Sequence, residues 1–179
     1  MSAPIHVPCP ACFALNRVDP SRPQAPKCGR CKTALWGGPP AALDGAHALF
    51  LNQREALGLS GEETVEDAAR SLAERVGTLI VTRAGEGAMA LSNGETVSVP
   101  AETIERPIDT TGAGDLLAAA FIWADLSGAE LEERLRWAVL YAGLAVCTPT
   151  GIGGAVDLET LLREGSSRGL TAPPQLTVG

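Results

Sequence analysis

The chain is organised around Asp109-Thr110-Thr111-Gly112-Ala113-Gly114-Asp115, which leads directly into an apolar run at residues 116–123. We predict a strand over residues 104–108, a turn of threonines and glycines, and then a helix with Asp115 in its first turn. Glycines let the backbone approach a ligand closely, and the start of a helix presents unpaired N–H groups with a partial positive charge. The stretch therefore predicts a phosphate site, with the Asp115 carboxylate beside it as a proton acceptor for an attacking hydroxyl.

The same stretch resembles the second signature of the PfkB/ribokinase family of carbohydrate and nucleoside kinases, whose pattern Asp-Thr-x-Gly-Ala-Gly-Asp it matches throughout. The resemblance implies that Asp115 is the catalytic base. It also implies that the backbone amides of Gly112, Ala113 and Gly114 form an anion hole, with Thr111 in the same nucleotide site. The alternative interpretation is a tight strand-to-helix turn in which Asp115 only places a charge at the start of a helix.

A second motif, Asn52-x-x-Glu55, follows an apolar strand predicted over residues 46–51. An amide and a carboxylate one helical turn apart can hold a hydrated magnesium ion, which keeps most of its waters. The same kinase family carries Asn-x-x-Glu after such a strand, where it is linked to magnesium and phosphate handling. The pair is also typical of an ordinary helix start.

Two glycine-containing turns extend the resemblance. The stretch from Thr82 to Gly87 is similar to the family's Thr-x-Gly-x-x-Gly turn, which lies beside the nucleotide phosphates, so we assign both residues to the nucleotide site. Ala84 stands where a glycine is usual. The turn at residues 148–155 occupies a region that borders the adenine in the family and can help to hold a monovalent cation, and we assign no residue there.

The N-terminal segment carries two cysteine pairs, Cys9-x-x-Cys12 and Cys28-x-x-Cys31, separated by fifteen residues. This spacing predicts a four-cysteine structural zinc site, and so short a segment needs such a staple because it has almost no core. Two disulfides are the alternative, which a cytosolic setting disfavours. Residues 8–44 also resemble the zinc ribbon at the head of a class of bacterial thioredoxins, but no thioredoxin active site follows, so a disulfide reductase is not supported.

The predicted elements alternate between strands and helices, which indicates an α/β fold with a parallel-rich sheet and helices on both faces. The family resemblance makes this the C-terminal part of a ribokinase-like three-layer α/β domain. The helix after the central motif is apolar nearly all round and is predicted to be buried. The other elements are a helix at 62–76, a strand at 78–82, a hairpin of 88–91 with 96–99, and helices at 130–147 and 157–163.

Composition and resemblance divide the chain into a ribbon (1–38), a linker (39–45), a kinase half-domain (46–165) and a flexible tail (166–179). The kinase resemblance covers about residues 49–165 and only the C-terminal part of the family, without the part that supplies the lid and the sugar-binding residues. We therefore expect an exposed sheet edge that favours self-association, and weak or no transfer to sugars by the chain alone. A true fusion, a relic and a chimera remain open.

Charge and hydropathy limit the partners. The net charge of −7 divides into +4 for residues 1–40 and −11 for the remainder, which argues against nucleic-acid binding by the main domain. No apolar stretch reaches membrane-spanning length, and the N-terminus does not resemble a signal peptide, so we expect a cytoplasmic protein.

Two functions are consistent with these features. The first is ATP-dependent transfer of a γ-phosphoryl group, with magnesium, to a hydroxyl of a sugar or nucleoside-like substrate. The second is a non-catalytic module that lacks the acceptor-binding half.

Overall fold

The computed structural model forms two compact units, Met1–Ala41 and Ala42–Gly179, and each is described by itself. The described residues are 5–9, 12–18, 26–32, 35, 43–103, 107–148 and 154–173. No helix within these ranges is both long and apolar enough to cross a membrane.

The N-terminal unit is a small hairpin of β1 (Ile5–Pro8) and β2 (Leu15–Val18) with two cysteine turns. Each turn closes in the same way. The Phe13 N–H donates to the Cys9 carbonyl at 2.9 Å, and the Lys32 N–H donates to the Cys28 carbonyl at 3.0 Å. Repetition of this bond gives the two cysteine pairs the same backbone geometry.

The second unit is built on a mixed four-stranded sheet. Only β3 and β4 pair in parallel, and the other two pairings are antiparallel, so the expected parallel-rich sheet is wrong for the described strands. The predicted hairpin is present, with Asn93 and Gly94 at φ 49° and 81°, as a two-residue turn requires. The strands, in sheet order, are β3 (Ala46–Asn52), β4 (Val76–Thr82), β5 (Ala88–Ser92) and β6 (Glu95–Val99).

Helices α1 (Gln53–Ser60) and α2 (Val65–Ala73) pack on one face of the sheet, around Leu72 and Leu79. Helix α2 is shorter than the predicted 62–76. It begins after Thr64, whose hydroxyl accepts the Asp67 N–H at 3.1 Å, and β4 already starts at Val76.

Helices α3 (Ala113–Leu126) and α4 (Leu131–Ala145) cover the opposite face, where Phe121 and Leu135 join the core. The three-layer α/β fold is therefore confirmed. The prediction that α3 is buried all round is wrong, because its outer side leaves Ile122 46% exposed.

The segment before α3 differs from the predicted strand at 104–108. Residues 104–106 lie outside the described residues, and the described remainder, Pro107 and Ile108, is not in a strand. The Ile108 N–H donates instead to the Val146 carbonyl at 2.8 Å, just after α4. The described entry into α3 is therefore held by the end of α4 and not by the sheet.

Both ends of the predicted half-domain extend further than expected. At the start, Asp44 of the predicted linker pairs with Arg75 at 2.6 Å. At the other end, α5 (Leu158–Ser167) continues past Gly165, which lies against the Trp137 indole where no Cβ would fit. The prediction of a tail from residue 166 is therefore wrong for the described residues up to 173, among which Leu170 is buried. Residues 174–179 lie outside the described part.

The loop between β4 and β5 is a short 3₁₀ turn, Ala84–Glu86. The Arg83 N–H donates to the Gly87 carbonyl at 2.7 Å. Ala84 has φ 48°, a left-handed conformation that costs an L-residue about 1–2 kcal/mol. Gly87 has φ 95°, and a Cβ there would overlap the Val99 carbonyl oxygen. Gly85 faces open space.

This loop provides a matched pair of substitutions. We expect Gly87→Ala to lower the free energy of unfolding by about 2–4 kcal/mol, because it adds both backbone strain and a steric clash. Gly85→Ala should change it by less than about 1 kcal/mol, because its Cβ meets nothing within 4 Å. Urea unfolding followed by far-UV circular dichroism measures both. Equal stabilities of the two variants would contradict this account of the loop.

Candidate functional site

A cleft of about 970 Å³ opens in the second unit, where the chain leaves β3 and β4 and where α3 begins. Asn52 and Thr82 are register partners at the ends of these parallel strands, so both strands deliver their following residues to one edge of the sheet. Ligands of open α/β sheets bind at this carboxyl edge. The cleft therefore lies where the fold predicts a binding site.

The cleft brings together five of the residues predicted to bind the nucleotide. They come from three segments that are distant in the chain, at residue 52, residues 82–87 and residues 113–114. The other predicted residues of this site, Glu55, Thr111, Gly112 and Asp115, are not among the residues that line the cleft. The five that line it are Asn52, Thr82, Gly87, Ala113 and Gly114.

The start of α3 forms one wall of the cleft. Gly112 precedes the helix with φ 80°, and no side chain of the described residues caps this helix end. The Ala113 N–H donates to the Thr110 carbonyl at 3.3 Å, so one amide of the predicted anion hole is used within the turn. The N–H groups of Gly114 and Asp115, second and third in the helix, have no intrahelical acceptor. They are the amides best placed for an anion.

Asp115 lies next to this wall and outside the cleft. It is the third residue of α3, and its side chain is exposed. The prediction that the turn leads into a helix is therefore confirmed, and the Asp115 carboxylate lies in the first turn of that helix. A hydroxyl that contacts both Asp115 and a phosphate at Gly114 must lie at the mouth of the cleft.

Asn52 and Glu55 form a capping box at the start of α1. The Asn52 Oδ1 accepts the Glu55 N–H at 2.9 Å, and the Glu55 Oε2 accepts the Asn52 N–H at 2.9 Å. Both side chains thus hold the helix start, as the alternative interpretation of the motif proposed. An ionised carboxylate has several further acceptor positions, so the capping box does not occupy the whole of Glu55.

Sequence reasoning missed most of the remaining lining. Arg54 lines the cleft on the α1 side. Glu102, which follows β6, also lines the cleft, and its carboxylate pairs with Arg168 at 2.9 Å. Helix α4 and the residue after it contribute an apolar wall that includes Val139 and Val146. The sequence shows Arg54 as a basic residue in the first turn of a helix, where it opposes the helix dipole, but it does not show that this turn borders a cleft.

The cysteine cluster lies in the N-terminal unit. The Sγ atoms of Cys9 and Cys31 are 3.5 Å apart, those of Cys12 and Cys28 are 3.7 Å apart, and all four lie within 4.8 Å of one another. A tetrahedral site with Zn–S bonds of ~2.3 Å places its sulfurs ~3.8 Å apart, whereas a disulfide needs ~2 Å. The four cysteines form a group that could hold a metal ion.

The pKa values of two of these thiols are shifted in opposite directions. The N–H of Cys31, and after it that of Arg30, favour the Cys28 thiolate and lower the pKa of Cys28 to about 6. For Cys12 the N–H of Ala14 also favours the thiolate, but desolvation and the neighbouring thiols outweigh it and raise the pKa of Cys12 to about 11. A thiolate is the form that binds metal.

Comparisons with known proteins agree with the fold. The pattern of the pfkB family carbohydrate kinases matches residues 16–157, so the match begins earlier than the resemblance noted from residue 49. A ribokinase of Bacillus subtilis (strain 168) is 37% identical over 110 residues, which are 60% of this chain and 36% of the ribokinase.

Solved structures extend the comparison. The adenosine kinase of Sinorhizobium meliloti superposes with a TM-score of 0.60 at 33% identity, over 70% of this chain and 36% of that one. A putative ribokinase II of E. coli, in complex with ATP and Mg²⁺, superposes with a TM-score of 0.65 at 27% identity, over 70% of this chain and 41% of that one. The chain thus spans about two fifths of these relatives or less. Because the family pattern covers more than half of it, the chain belongs to the pfkB family of carbohydrate kinases.

Proposed function

We propose that the second unit binds magnesium-ATP with its terminal phosphates at the start of α3. The protein then transfers the γ-phosphoryl group to a hydroxyl of a sugar or nucleoside-like acceptor. The observation that carries this proposal is the cleft itself, which unites Asn52, Thr82, Gly87 and Gly114. The ATP and Mg²⁺ bound to the related E. coli structure support it.

In this proposal, backbone groups at the start of α3 form one part of the phosphate end. The uncapped start of α3 carries the positive end of the helix dipole, and Gly114 has nothing within 4 Å of the position of a Cβ. A phosphate can therefore approach the backbone without a steric obstacle. Fixed N–H groups there stabilise the charge that develops on the transferred group.

Asp115 supplies the proton acceptor of this proposal. The acceptor hydroxyl oxygen attacks the γ-phosphorus, its proton passes to the Asp115 carboxylate, and the bond to the β-phosphate oxygen breaks to release ADP. The exposed position of Asp115 requires the acceptor to bind at the mouth of the cleft.

Magnesium neutralises phosphate charge when it is bound. Asn52 and Glu55 are the residues that would hold it, through water, because magnesium keeps most of its hydration shell. The capping box fixes both side chains, so their oxygens are preorganised for such a contact. The possible monovalent cation near residues 148–155 has no assigned ligand, and residues 149–153 lie outside the described part.

A second candidate is a module that binds nucleotide without transferring phosphate. The position of Asp115 outside the cleft lining favours it. We also propose self-association through the outer edge of β3, since β4 is its one partner among the described strands and its seven residues include no Asp, Glu, Lys or Arg. The cytoplasmic location stays a prediction.

Asp115→Asn separates catalysis from nucleotide binding. The affinity for magnesium-ATP should stay nearly unchanged, because the base acts on the acceptor hydroxyl and not on the phosphates. Phosphoryl transfer to ribose, a nucleoside or water should fall by ~10²–10⁴, the usual contribution of a general base.

Glu66→Gln is the matched control, because Glu66 is an exposed acid in the first turn of another helix, α2. Calorimetric titration and a coupled ADP assay measure binding and transfer. Wild-type binding without any transfer would support the non-catalytic module, and the loss of ATP binding in the Asn variant would overturn the role of Asp115 as a base.

We propose a structural zinc ion for the four-cysteine cluster. Purified protein should contain about one zinc per chain, and Cys28→Ser should lose it and unfold the N-terminal unit while the helices of the second unit remain. Cys147→Ser is the control, because this exposed thiol lies outside the cluster. Metal analysis with circular dichroism tests the proposal, and protein purified without chelator that holds no zinc would refute it.

A further inference from the structure

Arg54 places a positive charge in the wall of the cleft. It is the second residue of α1, and it lines the cleft together with Asn52 on its own element and with Thr82 and Gly85 on the neighbouring loop. Among the described residues that line the cleft, Arg54 is the one cation and Glu102 is the one carboxylate. The Glu102 carboxylate is already paired with Arg168 outside the cleft lining.

The position of Arg54 is electrostatically unfavourable without a ligand. The first turn of a helix carries a partial positive charge, which favours acids and disfavours bases. None of the ion pairs between described residues includes Arg54. An exposed arginine is ordinarily a solvated surface group, but this one lies in a cleft and against a helix dipole. An anion bound in the cleft would pair with Arg54 and would offset its unfavourable interaction with the helix dipole.

The charge distribution indicates which anion fits. The uncapped start of α3 and the Arg54 guanidinium are two separate sources of positive potential in one cleft. A single phosphate can satisfy one of them, whereas a chain of phosphates can reach both. The planar guanidinium also donates two parallel hydrogen bonds to a phosphate, which lysine cannot do.

We propose that Arg54 binds the terminal phosphates of the nucleotide and makes the site select nucleoside triphosphates over monophosphates. This inference rests on the proposed function, because it requires the nucleotide phosphates to lie in this cleft. Arg54 would then be a residue that determines specificity for the phosphate chain, while α3 provides the anion site common to both nucleotides.

The test compares four proteins by calorimetric titration with magnesium-ATP, AMP and tripolyphosphate. Arg54→Gln should weaken ATP and tripolyphosphate binding by about 10-fold, as expected for the loss of a charge-assisted hydrogen bond, and should change AMP binding by less than about 2-fold. Arg54→Lys should recover part of the loss, because it keeps the charge but not the paired donors. Arg70→Gln is the control, because Arg70 is an exposed arginine on α2 that pairs with Asp67 outside the cleft lining.

Each outcome decides between the two proposals. If the wild type binds ATP and Arg54→Gln binds ATP equally well, the role of Arg54 is overturned and the proposed function stands. An equal loss of ATP and AMP affinity would also overturn the selectivity. If the wild type binds no nucleotide but binds tripolyphosphate through Arg54, the proposed function fails and Arg54 is a polyphosphate-binding residue. If it binds neither, both proposals fail.

Discussion

The parallel pairing of β3 with β4 is the constraint on which the cleft depends. This register sets Asn52 opposite Thr82, so that α1 and the loop at residues 83–87 both begin at one edge of the sheet. A shift of β4 by one residue would turn Leu79 away from the core that it shares with Leu49 and would break the alignment of the two loops. The apolar faces that set the register of the strands therefore also set the position of the cleft.

The two walls of the cleft differ in how they would bind a ligand. The wall formed by α3 offers backbone N–H groups, whose positions depend on the turn from Asp109 to Gly112 and on the packing of Phe121 against the sheet. The wall formed by α1 offers side chains, of which Asn52 is held by the capping box and Arg54 is not. In the proposed function, fixed backbone donors on one wall and an adjustable side chain on the other would both bind the phosphates. This division suits a ligand with several phosphates.

Sequence reasoning succeeded where the signal is local. The start of α3 after Gly112, the hairpin at Asn93 and Gly94, and the four-cysteine spacing each depend on a few neighbouring residues, and all three are present. It failed where tertiary contacts decide. Helix α5 continues through Gly165 because the Trp137 indole fills the space beside it. Arg54 was missed because its importance depends on the cleft, which the sequence does not display.

The central claim is that nucleotide phosphates bind at the start of α3. Amide chemical shifts of ¹⁵N-labelled protein, recorded with adenosine and with magnesium-ATP, test it most directly. We expect the N–H signals of Gly114 and Asp115 to shift strongly with magnesium-ATP and much less with adenosine. Saturating magnesium-ATP that leaves these two signals in place, while it shifts others, would contradict the account.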